Sequence, residues 1–351
     1  MAPMRVPRAV SVWSLVLLSV LVLGTGCGSA DQQPTAHAPS GCTHTITQAD
    51  DVSVVLADAN PGETFCLTGG DLAGADVTMM RSGTAGTPVR LVGDGTTVRD
   101  IHVAADYVSV EGFVVAGGDG MLLQGVGLTA RNNTVRDTQQ GGITCASCID
   151  STIASNTVQH VATVGIWIRG QRITVDSNTV SGTVPRGDGD ADGVRFFGNG
   201  HRITRNTIRD ISAEGYASPP HPDCFQTYDD NSPPTFDVVI SGNTCRNVDA
   251  QCLIATGDQG GNSGVPAGMP SITFVGNTCA SNGDQAVNLR RWPGVELRQN
   301  TISGPNLTRG IMITDGSTGC TVIANTTRDP VPLVEVDDSS RPGFHEEANS
   351  P

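Results

Sequence analysis

The sequence predicts an all-β chain wound into one solenoid of about ten stacked coils, and three observations carry that expectation. Asn-Thr followed by an apolar or small residue recurs at Asn133, Asn156, Asn178, Asn206, Asn243, Asn277, Asn300 and Asn325, at spacings of 23, 22, 28, 37, 34, 23 and 25. Short alternating apolar runs divided by Gly turns share that period, as in Val194–Phe196 and Ile203–Ile208 around Gly198-Asn199-Gly200. Aromatics are only 4% of the chain and 43 of 351 residues are Gly, which excludes a core built on large rings. Units this short cannot bury their own apolar faces, and stacking copies does it for them.

Asn suits a corner of such a stack. It tolerates left-handed backbone geometry. Its amide also reaches the same amide one coil away, at the ~4.8 Å strand spacing. The regular spacing argues for a ladder rather than for scattered glycosylation sequons.

The elements follow in chain order. Arg5 and Arg8, the apolar run Val10–Leu23 and the small residues before Cys27 read as a signal peptide over residues 1–26. That run is short for a membrane span. Leu23-Gly24-Thr25-Gly26-Cys27 resembles a bacterial lipobox with Cys27 as the lipidated residue, although Gly24 stands where a larger aliphatic is usual. Residues 27–41, rich in Ala, Gln and Pro, read as a flexible tether. Residues 42–329 hold the solenoid. Thr47–Ala59 has apolar positions at helical spacing and an acidic first turn, so a capping helix is expected near 47–59. Asn60-Pro61-Gly62 stops it before a first strand at Thr64–Leu67. Residues 330–351, acidic and with four Pro, read as a disordered tail.

The formal charge is −14, and all 21 basic residues are Arg. Phosphate backbones are repelled, which excludes nucleic acid as a partner. Ten cysteines in an exported chain point to disulfides.

Over roughly residues 60–328 this pattern resembles the right-handed parallel β-helix proteins of the pectate-lyase-like superfamily. Arg81–Gly93 (RSGTAGTPVRLVG) also resembles the N-terminal coils of secreted polysaccharide-degrading members. The resemblance implies a monomer acting on an extracellular polysaccharide, touching a membrane only through a lipid anchor, and located at the cell surface or secreted. Lyases of the family abstract a proton beside a uronate carboxylate, which a metal or Arg neutralises, and the base is often Lys or Arg. With no Lys here, Arg195, Arg290 or His221 would have to serve. One fold hosts many activities, so the fold alone does not choose among them.

Aligning the repeats on the Asn column fixes a second strand per coil. Its inward residues are Met121, Ile143, Ile166, Val194, Phe225, Leu253, Val287 and Ile311. Its outward residues are Leu122, Thr144, Trp167, Arg195, Gln226, Ile254, Asn288 and Met312. Trp167, Arg195, Gln226, Gln251, Asn288 and Arg290 become the candidate sugar contacts, since a flat ring stacks on a sugar face. The same alignment places Cys224 over Cys252 and Cys245 over Cys279. Two inter-coil disulfides are expected there, or else a ladder of reduced thiols. Cys42–Cys66 would tie the cap to the first strand, Cys145–Cys148 would close a tight ring, and Cys320 is left over.

The three long spacings are consecutive, so the inserted loops crowd the polar middle of the outward column. Asp192, Asp223, Gln251 and Gln285 precede the aligned strands and should stack, with His221 two residues before Asp223. Two like charges one coil apart raise each other's proton affinity. Asp192, His221 and Asp223 are therefore the expected catalytic set, against the plainer reading that the acids only cap strand starts. Asp188-Gly189-Asp190-Ala191-Asp192-Gly193 matches the opening of a calcium loop, but Asn199 occupies the position of the closing Glu. That rejects an EF-hand and leaves a Ca2+ clamp on Asp188, Asp190 and Asp192, or a solvated turn. The functional expectation is a polysaccharide lyase or glycoside hydrolase; the alternative is a non-catalytic, surface-tethered glycan-binding or adhesion module.

Overall fold

The computed structural model describes residues 41–350 apart from 188, 230–233, 259, 260 and 263. The expected signal peptide, Cys27, all but the last residue of the tether and Asp188 lie outside the described residues.

Each coil contributes one strand to each of three sheets, as in Thr129–Arg131, Thr134–Arg136 and Ile143–Ile149. The sheets, called first, second and third in that order along a coil, hold 13, 10 and 11 strands among the described residues. Neighbouring strands run parallel. The stack makes about twelve coils rather than ten. The difference lies at the ends, where units lacking Asn-Thr still form coils.

The Asn column stands at the corner between the first and second sheets. Asn133 donates its backbone N–H and its Nδ2 to Asn156 Oδ1, both at 3.0 Å, and Nδ2 also donates to the Val110 carbonyl at 3.1 Å. The unit repeats through Asn178, Asn206, Asn243, Asn277, Asn300 and Asn325 and closes on Asn349. The left-handed backbone falls on the residue before each Asn, such as Asn132, Ser155, Ser177 and Arg205, with φ between 53° and 57°. The turn is thus made one residue early, and Asn is needed for its amide rather than for its backbone freedom.

The inward column is confirmed, from Met121 at 2% exposure to Ile311 at 0%. The helix spans Ala49–Ala57, inside the expected range, and buries Val52 and Leu56. It packs on Asp76–Met79, the first strand of the third sheet. The first strand is not Thr64–Leu67 but His44–Gln48, which pairs with Thr64–Asp71. A helix between these two strands covers the open apolar end of the stack, as a terminal cap must.

Two expectations are corrected. Cys42–Cys66 and Cys145–Cys148 form, but the other bonds are Cys224–Cys245 and Cys252–Cys279, at Cα separations of 6.0 and 5.6 Å. Cys224 and Cys252 share a column, as do Cys245 and Cys279, but all four are buried and face the coil interior. Each bond crosses that interior, from the start of a third-sheet strand to the next second-sheet strand. Cys320 is free and buried. The acidic tail is not disordered. Val334–Val336 joins the third sheet and His345–Glu347 the first, and Asn349 continues the corner ladder. Ladder hydrogen bonds order a segment whose composition offers few apolar contacts.

Candidate functional site

The outward column of the third sheet is in the expected register: Leu122, Thr144, Trp167, Arg195, Gln226, Ile254, Asn288 and Met312 are successive neighbours. The inserted segments flank this face. Residues 182–191 and 212–224 enter it from the second sheet, and residues 229–237 and 257–271 leave it toward the first. The inserted segments therefore adjoin the strands in the middle of one face.

Asp192, Asp223 and Gln251 stack at the entry to three successive third-sheet strands. Asp192 Oδ1 accepts the Asp223 backbone N–H at 3.0 Å, and Asp223 Oδ1 accepts that of Gln251 at 2.8 Å. The outer oxygens hold the active-looking groups. Asp192 Oδ2 accepts from Arg195, through Nε at 3.1 Å and a second, shorter bond from the guanidinium. Asp223 Oδ2 lies 3.1 Å from His221 Nδ1 and accepts from Gln226 Nε2 at 3.3 Å. Asp190 Oδ1 accepts the His221 backbone N–H at 3.3 Å, and its other oxygen lies 3.7 Å from Arg195.

Both stacked carboxylates are wholly buried, which sequence reasoning did not anticipate. Burial raises the Asp192 carboxyl above its ordinary range; Arg195 opposes this, and the nearby Asp223 and Asp190 carboxylates reinforce it. Burial likewise raises Asp223, against the pull of His221. The His221 imidazole is pushed up to about 9, chiefly by its hydrogen bond to Asp223. Its side chain is 52% exposed, whereas Asp223 is sealed. The expected catalytic trio is therefore together, but only its histidine is open to a ligand.

The other expected contacts divide. Trp167 and Asn288 are partly exposed on the face, and Gln226 and Gln251 are nearly buried beneath it. Arg195 keeps 14% exposure, and Arg290 is held by an ion pair to Asp258. Sequence reasoning places Tyr228 beside these coils but missed Phe197; the two are the next outward residues after Gln226 and Arg195. Phe197 meets Trp167 edge-on at 6.5 Å and Tyr228 at 5.0 Å. The Arg195 guanidinium lies 5.6 Å from the Tyr228 ring centre, an attractive placement for a cation. Their positions two residues along each aligned strand were the available signal.

Asp188 of the expected calcium set lies outside the described residues. Both oxygens of Asp192 are engaged, one of them by the Arg195 cation, and no group of three or more His, Cys, Asp or Glu among the described residues could hold a metal ion. Asp190 and Asp192 both face the Arg195 guanidinium.

Two solved structures are similar over most of the chain. One is the catalytic unit of the thermostable GH87 α-1,3-glucanase from Streptomyces thermodiastaticus strain HF3-3, 14% identical over 91% of this chain and 70% of that one, with a TM-score of 0.56. The other is the A-module of the Azotobacter vinelandii mannuronan C-5 epimerase AlgE4, 16% identical over 83% of this chain and 87% of that one, with a TM-score of 0.52. At such identities the likeness is one of fold. No curated protein sequence matches. The family described as a right-handed β-helix region matches residues 93–218 and, overlapping them, 119–327. That is more than half of the chain, which therefore belongs to the right-handed β-helix family.

Proposed function

We propose that the protein is an exported enzyme acting on an extracellular polysaccharide by proton transfer at His221. One observation carries the reading: a half-exposed imidazole is fixed through Nδ1 by a buried carboxylate, with Asp190 reaching both the His221 N–H and the Arg195 cation. Asp223 is then a positioning residue. It orients the ring and leaves Nε2 to meet the substrate.

Elimination suits this set better than hydrolysis. Hydrolysis needs two carboxylates that reach the glycosidic bond, and those of Asp192 and Asp223 are sealed and engaged. In elimination, His221 Nε2 takes the proton beside a uronate carboxylate, whose charge Arg195 faces. The electron pair forms the carbon–carbon double bond, and the glycosidic oxygen leaves with its bond electrons. An imidazole titrating at about 9 is mostly protonated at neutral pH, so this base gains strength as pH rises. The two similar folds are named for polysaccharides, a glucan and mannuronan, which supports the substrate class by analogy alone. Four disulfides fit an oxidising compartment, and lipidation at Cys27 would hold the enzyme at the cell surface.

The test is a panel of polysaccharides, with and without chelator, read by reducing ends and by ultraviolet absorbance of unsaturated uronates. The expected result is both signals together, insensitive to chelator, and lost by about 10²–10⁴-fold in His221→Ala with the fold retained by circular dichroism. New reducing ends without absorbance would make the protein a hydrolase. Saturable binding with no change in chain length would make it a glycan-binding or adhesion module.

A further inference from the structure

Beyond His221 the face changes character. Gln226 Oε1, Gln251 Oε1 and Asn288 Oδ1 are buried and have no hydrogen-bond partner among the described residues. Gln226 cannot be turned to hide its oxygen, because its Nε2 donates to the acceptor-only Asp223 carboxylate. Ile254 lies between Gln226 and Asn288 in the outward column and gives the stretch an apolar floor. Two strand spacings, ~9.6 Å, separate Gln226 from Asn288. A buried acceptor without a donor is costly, so two in the outward column and a third at the entry to its Leu253–Thr256 strand point to a ligand that brings hydrogen-bond donors.

The charges say which donors. The neighbouring cations are already matched, Arg290 by Asp258 and Arg309 by Glu335, with Asp284 4.0 Å from Arg309. Asp258, Asp284 and Glu335 are about half exposed beside the floor. A uronate carboxylate there would meet acceptors and like charge, whereas sugar hydroxyls satisfy amides in either role.

We propose that the face from Gln226 to Asn288 is a subsite for an uncharged, hydroxyl-presenting sugar, so that the substrate is a mixed glycan with a neutral unit next to the unit held at His221. The inference rests on the reading that this face binds a polysaccharide.

Calorimetry on the full chain tests it, with neutral tetrasaccharides (of glucose, galactose, mannose, xylose, rhamnose and N-acetylglucosamine) against tetramers of galacturonate, mannuronate and guluronate. At least one neutral probe should bind. Gln251→Met and Asn288→Leu should each weaken it about tenfold while raising the melting temperature by about 2–4 °C, because an orphaned acceptor is removed. Binding confined to the uronate tetramers, no binding by any probe, or unchanged affinity in both variants would overturn the subsite. Neutral binding without ultraviolet product would sink elimination but keep the subsite. Product from a homopolymeric uronate with unaltered kinetics in both variants would do the reverse.

Discussion

The corner ladder of Asn and the face column of Asp192, Asp223 and Gln251 are built on the same repeat and end in opposite states. In the corner, Asn206 Oδ1 receives the N–H and Nδ2 of Asn178 at 2.9 and 3.0 Å. Its own Nδ2 reaches the Val175 carbonyl and Asn243 Oδ1 at 2.9 and 3.0 Å. Those amide bonds all stay inside the ladder. In the face column each carboxylate spends one oxygen on the next coil and turns the other outward, to Arg195 or His221. Beyond them Gln251 leaves its oxygen unmatched. A repeat that is chemically closed is scaffold; the place where it opens is where a ligand has something to do. Capping alone does not mark that place. Asp100 Oδ1 accepts the Gly120 N–H at 2.9 Å by the same device, without a histidine attached.

The largest expected effect breaks the closed side. Asn206→Ala orphans the Asn178 N–H in a buried corner and takes one donor from the Val175 carbonyl and one from Asn243 Oδ1, which keeps the backbone N–H of residue 206. At about 1–3 kcal/mol for the orphaned N–H and about 0.5–1.5 kcal/mol for each further lost bond, urea unfolding should show a loss of about 2 kcal/mol or more. A loss below about 1 kcal/mol would mean the column is decoration. The smallest effect sharpens the open side. The folded His221 value of about 9 exceeds the ordinary 6.5. Its stabilising contribution is therefore complete below about pH 6.5 and fades as pH rises through about 9. The melting temperature should fall across that window, and His221→Gln should remove that part of the fall. Because the ring is half exposed that part of the fall is small, and an identical fall in the variant would contradict the pairing.

Much of the fold was legible because periodicity and alternation are one-dimensional signals. Both the Asn spacings and the outward column from Leu122 to Met312 translate directly into neighbours in space. The disulfides were not, since a shared column says which residues stack and not whether their side chains point along the stack or across the coil. Residues 330–350 misled because composition measures apolar content, whereas Asn349 and two short strands order that segment by hydrogen bonds. At the site, sequence brought together Asp192, His221, Asp223 and Arg195. It could not show that two of the three titratable groups are sealed, because burial depends on how the flanking loops close.

Asp223→Asn tests the division between scaffold and site most directly, read by melting, by the His221 ring titration and by turnover on a responsive polysaccharide. The amide still accepts the Gln251 N–H and no longer buries a charge, so the melting temperature should hold or rise. The His221 titration should drop from about 9 toward 6.5, and turnover should fall more than about tenfold. A variant that melts early while His221 and turnover stay unchanged would contradict the account, because Asp223 would then be one more rung of the scaffold.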